Sequence, residues 1–302
     1  MTTVTTDVGR ALEVLRVGGL VAIPTETVYG LAADASNEAA VRRIFAAKGR
    51  PADHPLIVHV ASADHLDEWA AEVPPAGRLL ADTCWPGPLT LLVRRAERVL
   101  DVVTGGRPTV GVRVPAHPLT LELLERFGGG LAAPSANRFG KVSPTTAQHV
   151  VDDLGDAVDL VLDGGPCPIG VESTIVDCTT EPPQVLRPGG IPTEQVATLL
   201  SGALAGASGP SRASGMLDSH YAPNARVTLV DTPAEAAELA ARQPGAMVID
   251  RTDDLAAYAR LLYADLRAAD ARGAEVIVAV LPPAEGLGHA ILDRLHKAAA
   301  GR

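Results

Sequence analysis

Aromatic side chains are scarce in this chain: three phenylalanines, two tryptophans and four tyrosines among 302 residues. Small aliphatic side chains must therefore fill the cores, within an ordinary apolar content of 47%. Cysteines number three, Cys84, Cys167 and Cys178. Their spacing offers no zinc site, and an odd number argues against a disulfide framework. Reduced thiols in a cytoplasmic protein are the expectation. No apolar run of 18 residues occurs, which argues against a membrane-spanning helix. The Thr-rich start lacks the basic-then-apolar pattern of a secretory signal. There is no Walker A sequence, no G-x-S-x-G elbow and no H-E-x-x-H, so any use of ATP rests on another architecture. Positive charge is short as well. The net charge is −10, with 16 basic against 24 acidic residues up to Ser201 and 10 against 12 beyond it. Tight, sequence-blind nucleic-acid binding depends on neutralising phosphates and is disfavoured, although a local basic groove stays open.

What is present divides at a stretch rich in Gly, Ala and Ser, residues 202–210, which reads as a flexible linker. We expect a first domain over 1–201, a linker over 202–225 and a second domain over 226–302. In the first, a helix over 8–17 has Thr6 or Asp7 as N-cap and Gly18-Gly19 as its stop. A helix over 38–47 is capped by Asn37, and further helices fall near 63–70, 76–84, 118–127 and 146–154. Strands are expected over 20–23, 56–60, 89–93, 109–114, 131–133, 160–162 and 174–177. Several follow one another without a helix between them, which implies a mixed sheet with helices. After the linker, strands over 227–230, 246–249 and 275–280 alternate with helices over 234–242, 255–271 and 288–300, a small Rossmann-like α/β pattern. Gly286-Leu287-Gly288 lacks the third glycine of a dinucleotide fingerprint and reads as an ordinary turn.

Five short segments carry candidate chemistry. Thr25-Glu26-Thr27-Val28-Tyr29-Gly30 follows the apolar run at 20–23. Lys48-Gly49-Arg50-Pro51 is followed by His54-Pro55-Leu56 and His59. Thr109-Val110-Gly111-Val112-Arg113-Val114-Pro115 places an arginine in an apolar strand. Pro134-Ser135-Ala136-Asn137 precedes Ser143-Pro144. Glu172-Ser173-Thr174-Ile175-Val176 precedes Arg187-Pro188-Gly189. Hydroxyls beside two fixed cations suit a phosphate-bearing ligand. Each segment also has a plainer reading. Thr25 and Thr27 could cap a turn, and Lys48 and Arg50 could be a solvated helix end favoured by the dipole. His59 could be a structural histidine, and Arg113 a structural ion pair, since a charge in an apolar strand needs a partner. Ser135 and Asn137 could form turns, and Ser143-Pro144 could cap a helix.

In this order the five segments resemble the YrdC-like threonylcarbamoyl-AMP synthases, in their long two-domain form. The resemblance covers residues 18–190 well and continues more weakly beyond. It implies a twisted mixed YrdC-like sheet with helices, followed by a small Rossmann-like domain. The implied reaction joins L-threonine, bicarbonate and ATP into threonylcarbamoyl-adenylate with release of pyrophosphate. The product feeds a separate tRNA threonylcarbamoyl transferase complex, and weak direct contact with tRNA fits the same role. By resemblance Lys48 and Arg50 hold the triphosphate and stabilise the leaving pyrophosphate. Arg113 clamps the threonine carboxylate, with Thr27, His59, the Ala133 backbone and Ser173 completing that pocket. Arg50, His54, Thr109, Ser135, Ser143 and Arg187 contact ATP, with Asn137 beside them. Mg2+ accompanies ATP, bound mainly by substrate oxygens and water. His220-Tyr221-Ala222-Pro223 corresponds to a segment that runs over the active-site mouth, making Tyr221 part of a lid that excludes water from labile intermediates. The chain departs from the family at Ser214-Gly215-Met216, which lacks a proline, at His54, where Asn is frequent, and in a shorter second domain. Two other readings share the module. One is a non-catalytic double-stranded RNA-binding protein. The other is a carbamoyltransferase of hydrogenase maturation, whose Cys-x-x-Cys pairs are missing here.

Overall fold

A strand buried on both faces needs apolar residues without alternation, and the first such run obeys. In the computed structural model, which describes residues 2–208 and 220–300, that run is β2 (Val21–Ile23), flanked by β1 (Thr3–Thr5) and β3 (Gly30–Asp34) in chain order. There follow β4 (Ile57–His59), β5 (Ala70–Glu72), β6 (Leu89–Arg95), β7 (Thr109–Arg113), β8 (Leu131–Ala132) and β9 (Leu160–Leu162). β10 (Thr174–Asp177), β11 (Gln184–Arg187) and β12 (Ala205–Gly206) complete a twelve-stranded mixed sheet. Its order is β1-β9-β2-β3-β8-β4-β7-β6-β10-β11-β12, with β5 on the side of β6. Parallel pairs such as β4 with β7 mix with antiparallel ones such as β6 with β7, as the uninterrupted strand succession predicts.

Local signals set the helices. The Asp7 carboxylate accepts from the backbone of Gly9 and Arg10 to start Val8–Arg16, and Asn37 accepts from Ala40 to start Glu38–Lys48. The latter ends where Gly49 takes a left-handed φ of 62°, a conformation glycine enters without steric cost.

The sequence misses five strands, for local reasons. β3 reads Gly-Leu-Ala-Ala-Asp, a composition poor in strand formers; its pairing with β2 and β8 imposes the conformation. β1, β5 and β12 are two- or three-residue edge pieces, and β12 falls inside the stretch read as linker. β11 lies between Pro183 and Pro188. The helix expected over 63–70 is a short helical turn and Leu66–Trp69, after which Ala70 enters β5 against β6. Ser143 is not the cap of the following helix. That role falls to Thr146, whose hydroxyl accepts from the His149 backbone, because the helix begins only at Ala147; the Ser143 hydroxyl donates to Glu172 instead. Ser214-Gly215-Met216 lies outside the described residues.

Beyond the linker, β13 (Arg226–Val230), β14 (Met247–Ile249) and β15 (Val276–Val280) form a parallel sheet in the order β13-β15-β14. Helices Pro233–Ala241, Leu255–Ala271 and Gly288–Ala299 alternate with the strands, as read from the sequence, and Gly286 is a turn with φ of 55°. The apolar core of this unit is not closed on itself. Tyr258, Leu262, Tyr263 and Ile291 share a cluster with Val28, Val142 and Val171 of the first unit and with Tyr221.

Candidate active site

Parallel strands β4 and β7 end side by side, with His59 in register with Arg113, and the carboxyl ends of such strands are where open α/β sheets bind ligands. Three loops close on that point. The Tyr29 amide donates to the Pro144 carbonyl and the Ala136 amide donates to the Tyr29 carbonyl, so the 25–30 and 134–137 segments fold against each other. Glu38–Lys48 delivers Lys48 to the same place, where its ammonium donates to the carbonyls of Ser135 and Asn137.

The result is a cavity of about 50 Å3, partly open to solvent, lined by residues from all five sequence segments and by His220 and Tyr221. Lys48, Arg50, Arg113 and Arg187 line it while being nearly or fully buried. Burial and then the neighbouring Arg50 charge hold the Lys48 pKa well below its ordinary value. An anion arriving among these cations would relieve both costs. The Arg187 guanidinium donates to the carbonyl of Ser173 at 2.8 Å and to its hydroxyl at 3.1 Å, which fixes Ser173 at the cavity edge. His59 is buried, its pKa pushed down to about 3 by burial and then by Arg113. It is therefore a neutral imidazole at neutral pH, and its Nδ1 has no partner among the described residues. The Asn137 side-chain oxygen likewise lacks one, while its amide nitrogen pins the loop through the carbonyls of Arg138 and Lys141.

Two carboxylates approach the cations, and both are already engaged. Glu26 pairs with Arg113 at 2.6 Å and accepts from the Ala116 amide at 2.9 Å. Glu172 accepts from Ser143 at 2.6 Å, from Tyr263 at 2.8 Å and from Arg294 at 2.9 Å. Burial alone would raise the Glu172 pKa, but Arg294 and Arg187 outweigh it and hold it down at about 2. Among the described residues no group of His, Cys, Asp and Glu is placed to hold a metal ion.

Tyr221 lines the cavity with its backbone in the left-handed region, φ 60°, which aromatic residues rarely occupy. Packing holds it there. Its ring stacks on Tyr263 at 5.6 Å, touches His220 at 4.1 Å and lies under the Arg294 guanidinium at 5.3 Å. His220 in turn meets Phe139, which carries Arg50 over its face.

Of the residues singled out from sequence, Lys48, Arg50, Thr27, His59, Arg113, Ala133, Ser135, Ser173, Arg187 and Tyr221 line the cavity together with Asn137. Three do not. His54 packs against the edge of Phe139 at 5.2 Å. Thr109 begins β7, four residues and about 13 Å of strand from Arg113. Ser143 is buried behind Glu172. Sequence reasoning gave no role to Phe139, Glu26 or Glu172. Phe139, one of three phenylalanines, two residues beyond Asn137, was the available signal. Tyr263 and Arg294 gave none, because nothing in the local pattern ties those helices to a cavity in the other unit.

A family model described as telomere recombination matches residues 13–189, and one described as threonylcarbamoyl-AMP synthase, C-terminal domain matches residues 191–300. The threonylcarbamoyl-AMP synthase of Pyrococcus abyssi is 44% identical over 314 residues, covering 95% of this chain and 92% of the relative. This chain belongs to the threonylcarbamoyl-AMP synthase family. The Bacillus subtilis threonylcarbamoyl-AMP synthase is 38% identical, over 98% of this chain and 94% of its own length. A shorter member, a putative threonylcarbamoyl-AMP synthase of Mycobacterium tuberculosis, is 40% identical over 190 residues, 63% of this chain and 87% of that one. The solved structure of Pyrococcus abyssi Sua5 complexed with L-threonine superimposes with a TM-score of 0.93 at 40% identity, covering 100% of this chain and 98% of that one.

Proposed function

We propose that this chain condenses L-threonine, bicarbonate and ATP into threonylcarbamoyl-adenylate with release of pyrophosphate, the first step of threonylcarbamoyl-adenosine modification of tRNA. The observation that carries the reading is the convergence of Lys48, Arg50, Arg113 and Arg187 on one cavity with hydroxyls and a neutral His59. Membership of the synthase family supports it. In the reaction the threonine amine combines with bicarbonate to give a carbamate and water. A carbamate oxygen then attacks the α-phosphorus, and pyrophosphate leaves in line. The protein contributes position and charge.

In this reading Arg113, held by Glu26, offers its fork to the threonine carboxylate. Thr27, His59, Ala133 and Ser173 surround the rest of the amino acid. Lys48 and Arg50 take the triphosphate and the charge that grows on the leaving group. Ser135, Arg187 and Asn137 face the nucleotide. His54, Thr109 and Ser143 would reach it only as the outer wall of the site. Magnesium would enter as the salt of ATP and belongs to the substrate, since the nearby carboxylates are taken by arginines.

His220 and Tyr221 line the cavity beside Lys48 and Arg50, and in this reading the segment bearing Tyr221 closes over bound ligands to exclude water. We assign residues 1–201 to catalysis, 202–225 to the lid and tether, and 226–302 to the supporting unit. The product is a labile mixed anhydride, so a transferase complex acting on tRNA must take it up promptly. No helix among the described residues is long and apolar enough to cross a membrane. A cytoplasmic setting is part of the proposal, argued from the odd cysteine count.

The test is pyrophosphate release from ATP and Mg2+, omitting threonine or bicarbonate in turn. Release that needs both is the expected result, and release that needs neither overturns the reading.

A further inference from the structure

Glu172 immediately precedes Ser173, lines the same cavity and is nearly buried. Among the described residues of the first unit, its carboxylate accepts from the Ser143 hydroxyl at 2.6 Å. The other described donors come from the second unit. The Tyr263 hydroxyl, on helix Leu255–Ala271, sits 2.8 and 3.0 Å from its two oxygens, and Arg294 Nε, on helix Gly288–Ala299, sits 2.9 Å away. Arg294 is fully buried. Its Nη1 donates to the Pro188 carbonyl at 2.8 Å, one residue past Arg187. It thus ties together the two backbone segments that carry Ser173 and Arg187 into the cavity.

The backbone confirms how closely this joint is built. A side chain at Gly170 would strike the carbonyls of Ala259 and Arg260 on the second unit, and one at Gly189 would strike the backbone of Glu172 and Ser173. Other contacts between the units differ in kind. Arg267 pairs with Asp153 at 2.7 Å and His289 with Glu194 at 3.0 Å, and none of those four residues lines the cavity.

We propose that Arg294 and Tyr263 are positioning residues for adenylate formation: through Glu172 and Pro188 they set where Ser173 and Arg187 meet the substrates. The inference deepens the proposed function and rests on it for its kinetic arm. The second unit then completes the substrate pocket from behind, without touching substrate. A tether that only joined the two units would affect folding and leave substrate affinity alone.

The test uses the full chain with Tyr263→Phe and Arg294→Lys, which keep volume or charge and remove one or more donors. Thermal midpoints come first. Threonine titrations of pyrophosphate release, threonine calorimetry and amide hydrogen exchange over residues 171–190 follow, well below the lower midpoint. We expect the threonine KM and Kd to rise together by about 3- to 10-fold, as loss of a hydrogen bond converts to affinity, with kcat changed less. Exchange over 171–190 should quicken while exchange in β13 and β15 stays as in the parent. Lower midpoints with unchanged threonine KM, Kd and local exchange would overturn the positioning role. If the parent itself releases pyrophosphate without threonine or bicarbonate, the proposed reaction fails, and the exchange measurement still decides whether Arg294 and Tyr263 order the segment.

Discussion

Individual side chains here serve two masters, and the variants follow from that. Arg113 is both a cavity cation and the partner of buried Glu26. Arg113→Ala should therefore cost about 3–5 kcal/mol in stability by stranding a buried carboxylate, read from urea unfolding. Arg113→Lys should keep most of the stability and raise the threonine requirement, because an ammonium cannot reproduce the fork. An unchanged threonine dependence would make Arg113 purely structural. Lys48→Ala should lower turnover by about 100-fold or more, as loss of a charge stabiliser does; a near-normal rate would remove it from the site. That Lys48 and Arg50 flank a helix-ending glycine was legible as a local pattern, but their burial was not, since the same pattern allowed a solvated helix end. The partner of Arg113 was not legible either, since Glu26 is 87 residues away in sequence and only the fold brings them together.

Elements built from apolar runs were legible to within a residue or two. Those built from Gly and Ala, or from two or three edge residues, were not, because β3 and β12 take their conformation from neighbours. Gly189 shows the same dependence: the Arg187-Pro188-Gly189 segment marks it without saying what it meets, and the backbone of Glu172 and Ser173 occupies the space its side chain would fill. Gly189→Ala should displace β10 relative to β11, lowering the thermal midpoint and weakening threonine binding together, both measurable on one preparation. A midpoint and affinity equal to the parent's would mean the two strands can part at no cost.

On the scale of the whole molecule, the shared apolar cluster around Val28, Val142, Val171 and Tyr263 means the two units should melt in one calorimetric transition. Two resolved transitions would show that the cores are separable. Acid should weaken the whole. His59 and His220 are pushed down from 6.5 to about 3, burial being the first cause of each. Between those values the unfolded chain binds protons that the folded chain refuses, so stability falls as pH drops from 6.5 to about 3. Glu172 acts in the same direction lower down: its contribution is complete above about 4.5 and is lost as pH falls towards about 2. His220→Asn should flatten the upper part of that curve, measured as thermal midpoint against pH.

A carboxylate sealed beneath one unit and neutralised from another constrains how such a chain can be inherited. The Mycobacterium tuberculosis relative is matched over 190 residues, 63% of this chain; a member built without the second unit would have no helix pair from which to send an arginine and a tyrosine. A descendant that lost the second unit would strip Glu172 of Tyr263 and Arg294 and leave Arg187 as the remaining cation that holds its pKa down, so the first change tolerated in such a lineage should be at this position, to an uncharged residue or with a new cation beside it. Residue 172 is thus where the history of gain or loss of the second unit should be written.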